Sequence, residues 1–369
     1  MPLGLLGALL LVAAVESGLP TTAARLPTRW RSRGGSAAEA AERLAPGCQV
    51  LCLGDSLAKH GLVPQVLTET SGRSSCNLAA AAAPTPLTFF LLKRALDAGA
   101  RPEAVVLDLK PSVLAGGPRF RLRDWPEALR AGELVDLAWT SGGGGLFAEL
   151  ALNSLLPSYR ARHDVRDATR AALRGEVPRL RELNAICWRN WTLNRGANLA
   201  HPRPSYTGAV SEAEHRDLLS HRFGLHRVNV RYLHRAIDLA VKRGVAVYLV
   251  LPPFAPELMK RRRETGAEAA YTEFVRSLQR AHPGVNVLDA RPSGYAAGVF
   301  VDAIHLDRRG AVRLSLDVGE ALARGPDRPG RWVELPPFRL PADRPELEDA
   351  EQSRERLGIA WRPGPAASR

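Results

Sequence analysis

The chain has 369 residues, 45% of them hydrophobic and 24% charged, a composition that excludes a disordered or fibrous protein and leaves room for one large domain or two modest ones. Its formal charge of +13 rests almost wholly on arginine, because only Lys59, Lys93, Lys110, Lys242 and Lys260 are lysines among 51 basic residues. Arginine used together with abundant alanine can reflect genome base composition; a basic surface still favours anionic polysaccharide or anionic lipid over acidic proteins. No nucleic-acid-binding motif is present, so no nucleic-acid partner is expected.

Taken in chain order, the first signal is an apolar run over residues 3–15. It is short for a membrane span and suits the core of a signal peptide or an anchor occupying residues 1–19. Arg25, Arg29, Arg31 and Arg33 follow it, which the positive-inside rule would hold in the cytoplasm, and no A-x-A cleavage site is seen. The expectation is an uncleaved anchor or signal with the remainder outside the cytoplasm, in the cell envelope. Residues 20–47 read as a linker rich in Pro, Arg, Gly and Ala, with a short helix over 37–44.

An alternation of strands and helices begins at 49–53, an apolar run that ends in Gly54-Asp55-Ser56-Leu57. Such a run, bounded by a turn signal, reads as a strand buried on both faces. Pro64 opens a helix and Gly72 closes it. A second strand is expected over 75–79, then a loop, a helix over 87–98, and a third strand over 104–109, stopped by Lys110-Pro111. The core pattern resumes with a helix over 225–243, a fourth strand over 245–251, a helix over 268–281 and a fifth strand over 285–288. Asp307 is placed to cap a last helix running to 323. Strands alternating with helices in this way predict a parallel sheet covered on both faces. Between them, 112–220 carries helical pieces and no clear strand, too long for a crossover, and reads as a helical insertion or lid. Residues 325–369 read as a Pro/Arg-rich tail lying on the surface or disordered.

Two stretches carry chemistry. Ser56 stands just beyond the carboxyl end of the first strand, where open α/β sheets bind ligands. A serine becomes nucleophilic only with a base, and the base needs a third group to fix its tautomer. Asp302 and His305, three residues apart in one late loop, can supply both.

Gly54-Asp55-Ser56-Leu57 together with Asp302-x-x-His305-Leu306 resembles the first and last sequence blocks of the SGNH/GDSL hydrolase superfamily, in the same chain order and across about residues 49–323. The resemblance implies a three-layer, flavodoxin-like α/β fold over residues 48–324, with a five-stranded parallel sheet of order 2-1-3-4-5. It also implies a serine esterase or deacetylase acting on an acylated carbohydrate or small ester, with Ser56 as nucleophile, His305 as base and Asp302 as its orienting acid. An O-acetyltransferase of envelope polysaccharide and a non-catalytic envelope carbohydrate-binding protein are the alternatives. For the oxyanion, the backbone N–H of Ser56 or Leu57 is one candidate donor. The family's other donors, a glycine after the second strand and an asparagine after the third, are replaced here by Asn77-Leu78-Ala79-Ala80 and by Asp108-Leu109-Lys110-Pro111. Asn77 and Lys110 are the candidate substitutes.

Each of these residues has an ordinary structural role to weigh against the chemical one. Ser56 alone reads as a turn serine capping a helix, and Asp302 and His305 as a cap and a satisfied surface histidine. His60, four residues after Ser56, is a minor alternative base that only Asp55 could orient. Gly143-x-Gly145-x-x-Ala148 loosely matches a dinucleotide fingerprint but follows no convincing strand, and reads as a hinge. Arg261, Arg262 and Arg263 read as a solvated helix face. The G-x-S-x-G elbow is absent, because Ala58 stands two residues after Ser56. Cys48, Cys52, Cys76 and Cys187 allow two disulfides or none and show no zinc spacing, and neither cofactor nor metal is expected.

Overall fold

A computed structural model describes residues 35–118, 125–220, 224–325 and 330–360, with scattered positions among the first seventeen. The expected arginine cluster over 25–33, much of the apolar run over 3–15 and the last residues of the expected tail fall outside the described residues. No described helix is long and apolar enough to cross a membrane.

Six parallel strands form one sheet: β1 Val50–Leu53, β2 Ser75–Asn77, β3 Ala104–Asp108, β4 Ala246–Leu251, β5 Asn286–Asp289 and β6 Trp332–Glu334, in the order 2-1-3-4-5-6. The register pairs Leu51 with Cys76 and Val105, and Val105 with Val247. Every residue of β1, β2, β3 and β5 is buried, as a sheet with helices on both faces requires. Val50, Cys52, Val106, Tyr248, Val250 and Leu288 point to one face. That face is covered by α3 (Pro64–Ser71), through Val66 and Leu67, and by the late helix Arg308–Arg324, through Ala311, Leu314 and Val318. The period of two sends the intervening residues to the opposite face, where the helix Arg227–Lys242 packs on β4 and on the helix Thr85–Asp97.

The expected five strands are thus six. The sixth comes from the segment read as a tail: Val333 pairs with Leu288, and the helix Ala350–Arg356 follows, capped by Asp349. This helix is tied to the sheet unit by Arg189, whose guanidinium holds Glu348 at 2.6 and 3.0 Å.

The chain divides into two compact units. Residues 36–117 and 186–369 make the sheet unit, and residues 1–35 and 118–185 make a helical unit. Residues 186–220, read from sequence as insertion, therefore pack with the sheet: Leu199 lies in its core, and Leu218 lies against Leu57. The helical unit contains α7 (Ala131–Ser141), α8 (Gly144–Leu155) and α9 (Pro157–Leu173). Gly142 closes α7 in the left-handed conformation, so the glycine run joins two helices, with no strand before it.

Candidate active site

Ser56 is the first residue of a short helix, α2 (Ser56–Gly61), that begins as soon as β1 ends. Asp55 caps it by accepting from Leu57 N–H at 2.8 Å. Under this turn lies Asp108, at the carboxyl end of the neighbouring β3. Its carboxyl accepts from the N–H of Asp55 at 3.1 Å and from that of Ala58. Gly54 permits this approach: at φ +141°, a Cβ there would stand 2.2 Å from Asp108 Oδ1. The nucleophile's backbone is therefore fixed from below by a side chain of the next strand. Burial, and then the charge of Asp55, push the Asp108 carboxyl well above its usual range, against the pull of its two backbone donors.

His305 and Asp302 sit in the loop before the last helix. An antiparallel bridge between Phe300 and Leu306 pinches the loop at its base, and Val301 N–H donates to His305 O at 2.9 Å. Within it, Asp302 Oδ1 accepts from the N–H of Ile304 and of His305, at 2.9 and 2.8 Å. The second oxygen of Asp302 lies 2.7 Å from His305 Nδ1, and His305 Nε2 lies 2.9 Å from Ser56 Oγ. Burial would raise the Asp302 carboxyl, but the hydrogen bond and charge of His305, with the two backbone donors, hold it far below the usual carboxylate range. An ionised Asp302 accepts only, which assigns the proton to Nδ1 and leaves Nε2 to accept from the Ser56 hydroxyl. Asp307 then caps the last helix through Gly310 N–H at 3.0 Å, and so fixes where the loop ends.

An apolar cluster holds the two loops together. Leu57 from the serine helix and Ala303 from the histidine loop share it with Leu218, Phe254, Leu258 and Met259. Ala255 N–H also donates to Ala303 O at 3.0 Å, linking the loop after β4 to the histidine loop. Burying one leucine in such a cluster contributes about 1.5–3 kcal/mol, which favours the arrangement in which the serine helix and the histidine loop stay in contact.

The candidate oxyanion donors divide. The Leu57 N–H is engaged by Asp55. The Asn77 amide donates to Ala58 O and Leu62 O at 2.8 and 2.9 Å, and its oxygen accepts from Ala79 N–H at 2.9 Å. Leu57 and Asn77 therefore build the turn and are not available to a substrate oxygen, contrary to the reading from sequence. Ser56 N–H, at the first position of a helix, has no carbonyl of its own helix to bond, and among the described residues it meets no acceptor. Lys110 remains as well. Its side chain is mostly buried, and its Nζ lies 3.7 Å from Asp55 Oδ2. That oxygen is itself buried and lacks a hydrogen bond.

His60 is not hydrogen-bonded to Ser56. Its Nδ1–H donates to Asn198 O at 2.7 Å, and its ring meets that of His305 edge-on, with centroids 5.3 Å apart. Burial and the neighbouring His305 push its imidazole down to about 3, so it stays neutral. Of the three arginines read as a solvated face, Arg262 is buried: it pairs with Glu268 at 2.9 Å and donates to Leu218 O. The role of Asp108 was missed from sequence, although an acid ending an otherwise apolar strand beside the serine turn is the signal that could have found it. The four cysteines are free, and no cluster of metal-ligating side chains occurs among the described residues. No protein-family model matches the chain, and no curated protein matches it by sequence.

Proposed function

We propose that the protein is a serine esterase of the SGNH/GDSL type, with the flavodoxin-like fold of that superfamily, acting on an acylated carbohydrate or other small ester. The observation that carries this reading is the unbroken hydrogen-bonded chain from Ser56 Oγ through His305 to Asp302. In the proposed reaction, Ser56 Oγ attacks the ester carbonyl while its proton passes to His305 Nε2. Asp302 stabilises the imidazolium so formed. His305 then gives the proton to the leaving alkoxide, and the acyl group stays on Ser56. In the second half, His305 takes a proton from water, the hydroxide attacks the acyl carbonyl, and the carboxylic acid leaves as His305 returns the proton to Ser56 Oγ.

The negative charge on the carbonyl oxygen falls to Ser56 N–H and to Lys110. An ammonium in place of a neutral amide strengthens such a donor, because hydrogen bonds from charged groups are roughly twice as strong. Labelling of the purified protein with a fluorophosphonate probe tests the proposal, since the probe phosphonylates only an activated serine. The parent protein should label, and both Ser56→Ala and His305→Ala should not. A folded parent that stays unlabelled would exclude serine chemistry at this site. Turnover of an activated acetyl ester in water alone separates a hydrolase from an acyltransferase, which needs an acceptor sugar.

A further inference from the structure

We propose that the helical unit docks on an anionic lipid surface, with the outer face of the α7–α8 hairpin seated at the acyl-chain boundary and the arginines of α9 among the headgroup phosphates. This inference does not depend on the acyl chemistry proposed above. It starts from what the hairpin leaves in water. Leu134, Leu137, Leu146 and Leu150 turn inward and are buried, as the core of a helical pair requires. The opposite face should then be polar, yet its most exposed large side chains are apolar. Trp139 is 86% exposed and Leu155 76%, with Val135, Phe147 and Leu152 also exposed. Val135 and Trp139 are one turn apart on α7, and Leu152 and Leu155 are one turn apart on α8. Of the fully exposed residues between 131 and 155 only Ser154 is polar, and the stretch contains no lysine or arginine; its acids, Glu133, Asp136 and Glu149, are half-buried. Single exposed apolar residues are ordinary, whereas two adjoining helices whose most exposed side chains are large and apolar mark a docking surface.

The occupant follows from length and charge. Helices of 11 and 12 residues are about 16–18 Å long at 1.5 Å per residue, roughly half of a hydrocarbon core about 30 Å thick. They can lie at a membrane interface but cannot span it. The next helix changes character at once. Arg162, Arg166, Arg170 and Arg174 recur every four residues along α9 and its C-cap, all exposed, forming one cationic stripe. An apolar hairpin followed directly by an arginine-bearing helix is the pattern of interfacial segments that bind anionic lipid. The N-terminal segment belongs to the same unit. Glu16 accepts from Ser158 N–H at 2.8 Å and from the Ser158 hydroxyl, at the first turn of α9, and Leu10 and Leu11 before it are exposed.

Vesicle flotation of the full chain tests this, with phosphatidylcholine vesicles alone or containing phosphatidylglycerol. The parent should float with the anionic vesicles, and raised salt should weaken it. Trp139→Ser with Phe147→Ser should cut the bound fraction at least tenfold. Arg170→Glu with Arg174→Glu should remove the preference for phosphatidylglycerol and the salt dependence. All substituted side chains are exposed, so an unchanged thermal midpoint shows that each variant is folded. Failure of the parent to float overturns the proposal. Equal flotation of parent and both variants also overturns it, and assigns binding to the apolar N-terminal run. If the parent is a dimer by light scattering without lipid and the Trp139/Phe147 variant is a monomer, the occupant is a second copy and the lipid proposal fails.

Discussion

The two halves of the candidate site are built on opposite principles. The turn that carries Ser56 is buried and held by backbone N–H groups that converge on Asp108, a carboxyl that burial keeps from ionising readily. The loop that carries His305 is half-exposed and organised around Asp302, a carboxylate held in its charged form. One acid fixes position by accepting hydrogen bonds, and the other supplies charge to a base. Identical side chains take these two roles because their surroundings differ: a β-strand end beneath a helix start in one case, a short loop facing a histidine in the other.

The sharpest way to break this comparison is to take the charge from the loop and leave its shape. Asp302→Asn should lower kcat/KM on an activated ester by about 10⁴-fold, as loss of the orienting acid does in a serine triad. Steady-state kinetics together with an unchanged fold would show it, and a loss below tenfold would mean that His305 is oriented by other groups. The charged acid also has a stability signature. Its carboxyl is depressed in the fold, so its contribution is present above the unfolded value near 3.9 and is lost as pH falls through the folded value.

Asp108 should show the opposite sign. Its carboxyl is raised in the fold, so its contribution is complete below about pH 4 and is lost as pH rises through the folded value. Denaturant midpoints taken from pH 4 upward should therefore fall in the parent and flatten in Asp108→Asn. That variant should also lose about 1–3 kcal/mol, because its NH2 must face one of two buried N–H donors. Equal slopes in parent and variant would place the pH dependence elsewhere. Leu57→Ala tests the apolar contact between the two halves. It should cost about 2–5 kcal/mol and lower kcat/KM beyond what unfolding explains, by loosening the distance between Ser56 and His305.

The smallest effect is expected at His60, which touches the base without bonding to the nucleophile. His60→Gln should reduce kcat/KM by less than about tenfold, well under the 10²–10⁴ of a general base, and leave the shape of the pH profile unchanged. Loss comparable to that of His305→Ala would reverse the assignment of the base.

What was legible in the sequence is what physics writes locally. β1, β3 and β4 are dominated by apolar residues and closed by turn residues, and the nucleophile stands at the end of the first of them, whereas the acid and the base follow the short apolar stretch 299–301 in a loop. The sixth strand escaped because Trp332–Glu334 is three residues long, only half-buried and set among prolines and arginines, with no periodic signal to read. Asn77 was misread because its partners, Ala58 O and Leu62 O, lie fifteen or more residues away, so its engagement is a property of the fold and leaves no local trace. The insertion's end was placed late for a related reason: 186–220 lacks strands, yet its backbone carries bonds essential to the sheet.

Those bonds bear on the order in which the chain can be made and folded. Asn77 N–H at the outer edge of β2 donates to Arg195 O at 3.0 Å, Asn198 N–H donates to Lys59 O at 2.9 Å, and Asn198 O accepts from His60 Nδ1–H. Gly196 passes so close to Asn77 O that a Cβ there would lie 1.8 Å from it. A nascent chain that has emerged only as far as residue 190 therefore displays an open sheet edge, the surface on which strands of other molecules add. Until the next few residues leave the ribosome, the serine turn lacks a seam and β2 lacks its cover. In the full chain, Gly196→Val should lower the soluble yield, because its side chain would collide with Asn77 O and push the covering segment off the β2 edge.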